Sequence, residues 1–156
     1  MSAHATNFIL YAEDDENDAF LVQHAFAKAG MNSQLVVVNS GKAAIEYLSC
    51  HALTPNPSTP LPRLILLDLN MPGTSGLEVL KWIRNTPQLS TLVVVMLTSS
   101  NQEADIHRAY IQGANGYLVK PSKVDELIVM VKAIKDFWLL QNRAHFPMSP
   151  AARKAE

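Results

Sequence analysis

Arg63-Leu64-Ile65-Leu66-Leu67-Asp68-Leu69-Asn70-Met71-Pro72-Gly73 is the stretch from which the fold can be read. Four apolar residues run directly into one carboxylate, and turn-forming residues follow within a few positions. A continuous apolar run bounded by a turn reads as a strand buried on both faces, the usual state in a parallel sheet. Asp68 then stands at the carboxyl end of that strand, where ligands and chemistry collect in open α/β sheets. A lone strand-Asp-turn would read as a helix cap or turn former. Comparable residues at the ends of other strands replace that reading.

Working outward, residues 8–12 form a first buried strand that closes on Glu13-Asp14-Asp15-Glu16, acidic residues suited to the positive amino end of a helix. Ala19, Val22, Phe26 and Ala29 share a helical stripe, and Gly30 ends that helix. A second strand is expected over 35–38 and a second helix over 42–50. Residues 51–62 hold Pro55, Pro57, Pro60 and Pro62, which exclude helix and central strand and leave an exposed connection. A third helix is expected over 75–85, a fourth strand over 92–97 and a fourth helix over 102–112. A short strand over 117–119 and a last helix over 123–140 complete the pattern, with a frayed tail over 141–156. Strands alternating with helices predict a three-layer, doubly wound, five-stranded parallel α/β fold with right-handed crossovers.

The totals agree with one globular domain: 156 residues, 48% hydrophobic and 17% charged. A net charge of −1 gives no electrostatic reason to expect nucleic acid or an anionic membrane as partner. No apolar run approaches the roughly 20 residues of a membrane span, and the short polar start, residues 1–7, is unlike a secretory signal. Cys50 is the sole cysteine, so no internal disulfide forms, and a cytoplasmic location is expected. His4, His24, His51, His107 and His145 show no metal-ligand spacing.

In a parallel sheet the strand ends share one edge. That edge would carry Asp14 and Asp15 from the first strand, Asp68 from the third, Thr98 from the fourth and Lys120 from the fifth. Three carboxylates held together repel one another unless a cation joins them. Hard oxygen ligands with room for water suit Mg²⁺. A lysine and a hydroxyl opposite the metal complete a site for a phosphoryl group.

With Glu13-Asp14-Asp15, Leu66-Leu67-Asp68-Leu69-Asn70-Met71-Pro72, Leu97-Thr98-Ser99 and Gly116-Tyr117-Leu118-Val119-Lys120-Pro121 in this order, the chain resembles a response-regulator receiver domain, the phospho-accepting half of two-component signalling. The resemblance spans about residues 8–137 and implies a flavodoxin-like receiver domain over 7–140, with no output domain in 141–156. It implies that Asp68 is the phosphorylated aspartate. Asp15 would bind Mg²⁺ directly, Asp14 at least partly through water, and Asn70 through its backbone carbonyl. Thr98 would hydrogen-bond a phosphoryl oxygen, Lys120 would pair with the carboxylate and then the phosphoryl group, and Tyr117 would be the aromatic switch. The Lys120-Pro121 bond would be cis, as is usual in the family. Ser99 stands where many receivers have alanine, a small departure that leaves the site accessible.

The Pro-rich connection, Val124-Asp125-Glu126-Leu127 after Lys120-Pro121, and Phe137-Trp138 resemble the stand-alone regulators of bacterial and cyanobacterial phytochromes. A histidine kinase, with a phytochrome sensor in that case, is the implied partner; a chemotaxis-type regulator is the nearest alternative. A Mg²⁺-dependent aspartyl-phosphate phosphatase would commonly place a second Asp, as general acid, where Asn70 stands. The expected role is therefore signalling rather than enzymatic turnover. Finally, Val124, Leu127, Ile128, Val131, Ile134 and Trp138 form a core-facing stripe on the last helix. Val129, Met130, Ala133, Phe137 and Leu140 gather opposite, and a homodimer through Met130, Ala133, Phe137 and Leu140 is expected to cover them.

Overall fold

The computed structural model describes residues 7–53 and 60–145. The expectations for the middle of the proline-rich connection and for most of the tail lie outside the described residues. Strands β1 (Ile9–Ala12), β2 (Leu35–Val38), β3 (Leu64–Leu67), β4 (Val94–Thr98) and β5 (Gly116–Val119) alternate with helices α1 (Glu16–Lys28), α2 (Gly41–Leu53), α3 (Gly76–Asn85), α4 (Glu103–Ile111) and α5 (Val124–Ile134). The sheet is parallel throughout, in the order β2-β1-β3-β4-β5. Order reverses between β1 and β3, so the crevice of a doubly wound sheet opens at their carboxyl ends. The fourth strand is displaced from its expected bounds: Leu92 is buried ahead of it, and Thr98 is its last residue.

Side chains alternate across a strand, and here the alternation sorts two cores. Leu10, Ala12, Ile65, Leu67, Val94 and Met96 pack with α2, α3 and α4. Ile9, Tyr11, Leu64, Leu66, Val95 and Leu97 pack with α1 and α5. The three central strands β1, β3 and β4 are wholly buried, which explains their unbroken apolar sequences. α3 starts at a capping box: the Ser75 hydroxyl accepts from the Glu78 amide, and the Glu78 carboxylate accepts from the Ser75 amide.

The last helix departs from expectation. α5 passes into a π-helical turn, Lys135–Gln141, closed by the Asn142 amide donating to the Phe137 carbonyl at 2.7 Å. The wider turn carries Leu139, five residues after Ile134, into the α1/α5 core and leaves Trp138 half-buried. Val124, expected to face the core, lies at the helix start and is exposed. Met130 is also corrected: it is half-buried and packs on the chain's own second core. Val129, Ala133, Phe137 and Leu140 remain exposed.

Candidate functional site

The sheet's hydrogen bonding continues beyond the strand ends and so fixes the backbone of the site. The Glu13 amide donates to Val38 O at 3.0 Å, Asp68 to Ala12 O at 3.1 Å and Lys120 to Thr98 O at 2.8 Å. Glu13, Asp68 and Lys120 are thereby brought to one edge, with Thr98 buried beside them at the end of β4. Gly76 completes this seat. Its amide donates to Leu69 O at 3.0 Å, and a Cβ there would fall 2.1 Å from the Asp68 carbonyl oxygen, so α3 can begin this close only with glycine.

Lys120 is the centre of the charge arrangement. Its ammonium donates to Glu13 Oε2 in a short contact and to Asp18 Oδ2 at 3.1 Å, and Asp68 Oδ2 lies 3.9 Å away. Burial pushes the Glu13 carboxyl above its ordinary value, and the Lys120 pairing opposes part of that rise. Burial alone would lower the Lys120 ammonium, but Glu13 and Asp68 outweigh it and hold the ammonium above its ordinary value. Three hydrogen bonds converge on Glu13: from Lys120 and the Tyr11 hydroxyl to Oε2, and from the Asp15 amide to Oε1.

Glu13, Asp14 and Asp68 place carboxylate oxygens within 4.8 Å of one another. Three hard oxygen donors without nitrogen or sulfur fit a divalent cation that keeps water in its shell. Asp15, expected as the direct ligand, is corrected. It is exposed, its carboxylate accepts from the Asp18 amide at 2.9 Å, and it is the N-cap of α1. β1 ends at Ala12, as expected, and the first two acidic residues after it, Glu13 and Asp14, are the ones that join Asp68 in the cluster.

Asn70 follows in the loop after β3, its side chain exposed. Tyr117 is half-buried against the α2/α3/α4 core, and its hydroxyl donates to Ser100 O at 2.9 Å. The Ser100 amide lies 3.4 Å from Thr98 Oγ1, so one loop residue joins the two expected switch residues. The Ser100 hydroxyl donates to Asp105 Oδ2 at 2.5 Å, and Arg108 pairs with the other oxygen of Asp105. The backbone has no cis peptide bond among the described residues, so Lys120-Pro121 is trans, against expectation.

Glu13, Asp18, Gly76 and Asp105 were not singled out from the sequence. The signal for Glu13 was present: in a strand, residues two apart share a face, and Tyr11 and Glu13 do so here.

Comparison with known proteins agrees with the architecture. A family model described as the response regulator receiver domain matches residues 9–132. The probable methanogenesis regulatory protein FilR2 of Methanothrix harundinacea is 38% identical over 139 residues, covering 89% of this chain and 88% of that protein. Response regulator Rcp1 of Synechocystis is 38% identical over 131 residues, covering 84% and 88%. The crystal structure of its Mn²⁺-bound form matches with a TM-score of 0.75 at 35% identity, over 89% of this chain and 99% of that one. The phosphorylated cyanobacterial phytochrome response regulator RcpA matches with a TM-score of 0.75 at 33% identity, over 90% and 99%. With the fold, the strand-end cluster and these relatives in agreement, the chain belongs to the response regulator receiver domain family.

Proposed function

We propose that Asp68 accepts a phosphoryl group from the phosphohistidine of a histidine kinase, with Mg²⁺ bound by Glu13, Asp14 and Asp68 and by the Asn70 carbonyl. The N–P bond of the donor breaks, a P–O bond to an Asp68 carboxylate oxygen forms, and the imidazole leaves with a proton from solvent. Mg²⁺, when bound, would neutralise phosphoryl charge. Lys120, 3.9 Å from Asp68, is placed to pair with a phosphoryl oxygen after leaving Glu13 or Asp18, and the Thr98 hydroxyl is placed to donate to another. The observation that carries this reading is the buried lysine shared among three carboxylates, Glu13, Asp18 and Asp68, at the crevice of the sheet. Movement of Thr98 would reach Tyr117 through Ser100, a local charge change with a two-state readout. The chain acts as a cytoplasmic signalling domain and not as an enzyme with turnover. Among the described residues no helix is long and apolar enough to cross a membrane.

The printed descriptions of Rcp1 and RcpA support a phytochrome kinase as donor. The equal identity to FilR2 makes the donor a matter for phosphotransfer assays with several kinases. Incubation with Mg²⁺ and acetyl phosphate, read by intact mass, is expected to give one phosphate per chain in the wild type and none in Asp68→Asn. An equal adduct in Asp68→Asn removes the assignment.

The exposed outer face of the last helix, Val129, Phe137 and Leu140, supports a homodimer centred on Phe137. Phe137→Glu is expected to give a folded monomer that still takes phosphate. Light scattering over a concentration series decides it, and a wild type that stays monomeric removes the dimer.

A further inference from the structure

The apolar sequence of β1 is interrupted once, by Tyr11. This side chain is fully buried, between α1 and α5, in a strand where every other residue is aliphatic. A buried phenol must find an acceptor or lose hydrogen-bonding energy. Tyr11 finds Glu13, two residues on and just past the end of β1, and its hydroxyl donates to Oε2 at 2.9 Å. The same oxygen receives Lys120, and the other receives the Asp15 amide. Glu13 thus has donors on both oxygens, and among the described residues Tyr11 is the one partner that reaches it from the apolar core.

We infer that Tyr11 is a positioning residue for the divalent-cation site. It does not touch the cation or the phosphoryl group. Its hydroxyl fixes the rotamer of Glu13, so that one carboxylate can face Asp14 and Asp68 while it anchors Lys120. Partners that orient ligating carboxylates commonly alter metal affinity when removed. Without the hydroxyl, Glu13 keeps Lys120 and the Asp15 amide but loses the contact that holds it from the core side. The carboxylate can then follow Lys120 away from Asp14 and Asp68. This inference rests on Glu13 being a cation ligand, as proposed above.

The test is Mg²⁺ titration by isothermal calorimetry on wild type and Tyr11→Phe, with a thermal melt of each without metal. Tyr11→Phe removes one oxygen and keeps the ring in its core, so it is expected to remain folded and to bind Mg²⁺ about tenfold more weakly. Equal affinity in the two proteins overturns the role of Tyr11 while leaving the cation site intact. A wild type that binds no Mg²⁺ overturns the site and the inference together. A second measurement does not depend on the variant's folding. In wild type labelled at the tyrosine ζ carbons, the Tyr11 resonance should shift on Mg²⁺ saturation, because its acceptor becomes polarised. A resonance that stays in place while Mg²⁺ binds overturns the inference.

Discussion

At the carboxyl edge of the sheet, Lys120 sits among Glu13, Asp18 and Asp68, all acidic. At the amino edge, Arg63 sits among neutral acceptors: the Asn7 side-chain oxygen at 2.8 Å, the Asn142 carbonyl at 2.8 Å and the Trp138 carbonyl at 3.4 Å. Both cations tie distant parts of the chain together. Lys120 joins β5 to β1 and α1, and Arg63 joins the start of β3 to the segment before β1 and to the end of the last helix. They differ in what can disturb them. A proton, a metal ion or a phosphoryl group changes the partners of Lys120, and none of these changes a carbonyl. One edge is built to respond and the other to hold, and each can be broken separately.

The largest effect is expected from Lys120→Met. Removing the cation leaves the nearly fully buried Glu13 beside Asp68 without compensation, at a cost of about 3 kcal/mol at neutral pH. Glu13 is already held above its ordinary value by burial, and loss of Lys120 raises it further. A carboxyl raised in the folded state weakens the fold above its unfolded value and is relieved as pH falls through its folded value. The deficit should therefore shrink as the pH falls from neutral toward the ordinary carboxyl value of 4.5. In the wild type the Lys120 ammonium is raised, so its contribution is complete below its ordinary value of 10.5 and is lost as pH rises through the folded value. Urea denaturation at several pH values measures this. A deficit independent of pH would show that Lys120 acts by packing alone.

Arg63→Met is expected to cost less, about 2 kcal/mol, through loss of charge-assisted hydrogen bonds to neutral acceptors. The deficit should be the same at pH 5 and pH 8, and phosphate uptake from acetyl phosphate should match the wild type. Amide exchange should rise around Leu139 and Asn142, where the π-helical turn loses its tie. Slower phosphate uptake in this variant would mean that the two edges are coupled.

The two edges were not equally legible in the sequence. Asp68, Thr98 and Lys120 could be located because each stands where an apolar run stops, and a parallel sheet gathers such stops at one edge. Glu13 was missed because four carboxylates follow β1 in succession, and the end of an apolar run does not say which of them turns inward. The π-helical turn was missed because Lys135–Gln141 contains neither proline nor glycine, so nothing local separates it from α-helix. Arg63 was missed for another reason. Its partners Trp138 and Asn142 are 75 and 79 residues away, and no periodicity records a contact of that range. The core stripe of the last helix was legible through Leu127, Val131 and Ile134, with Ile128 and Trp138 packed at its border, and failed at Val124, which stands at the exposed start of the helix.

The smallest expected effect separates charge from burial as the source of the carboxyl edge's sensitivity. Asp105 lies near that edge on α4. The Ser100 hydroxyl, and then Arg108, hold its carboxyl below the ordinary value of 3.8. Arg108 is largely exposed, so solvent screens the pair and its contribution to stability is small. The sign is opposite to that of Glu13. As pH falls, the unfolded chain binds this proton before the folded chain does. The pairing therefore stabilises the fold above the ordinary value and is lost as pH falls through the lower, folded value. Asp105→Asn should lower the denaturation midpoint slightly at pH 7, and the difference from wild type should close as acidification passes below 3.8 and through the lower, folded value. Raising the salt concentration at pH 7 should also narrow it, whereas the Lys120→Met deficit, between buried groups, should persist in salt. If Asp105→Asn proves as damaging at pH 7 as Lys120→Met, exposed charge matters as much as buried charge, and the contrast between the responsive and the holding edge loses its physical basis.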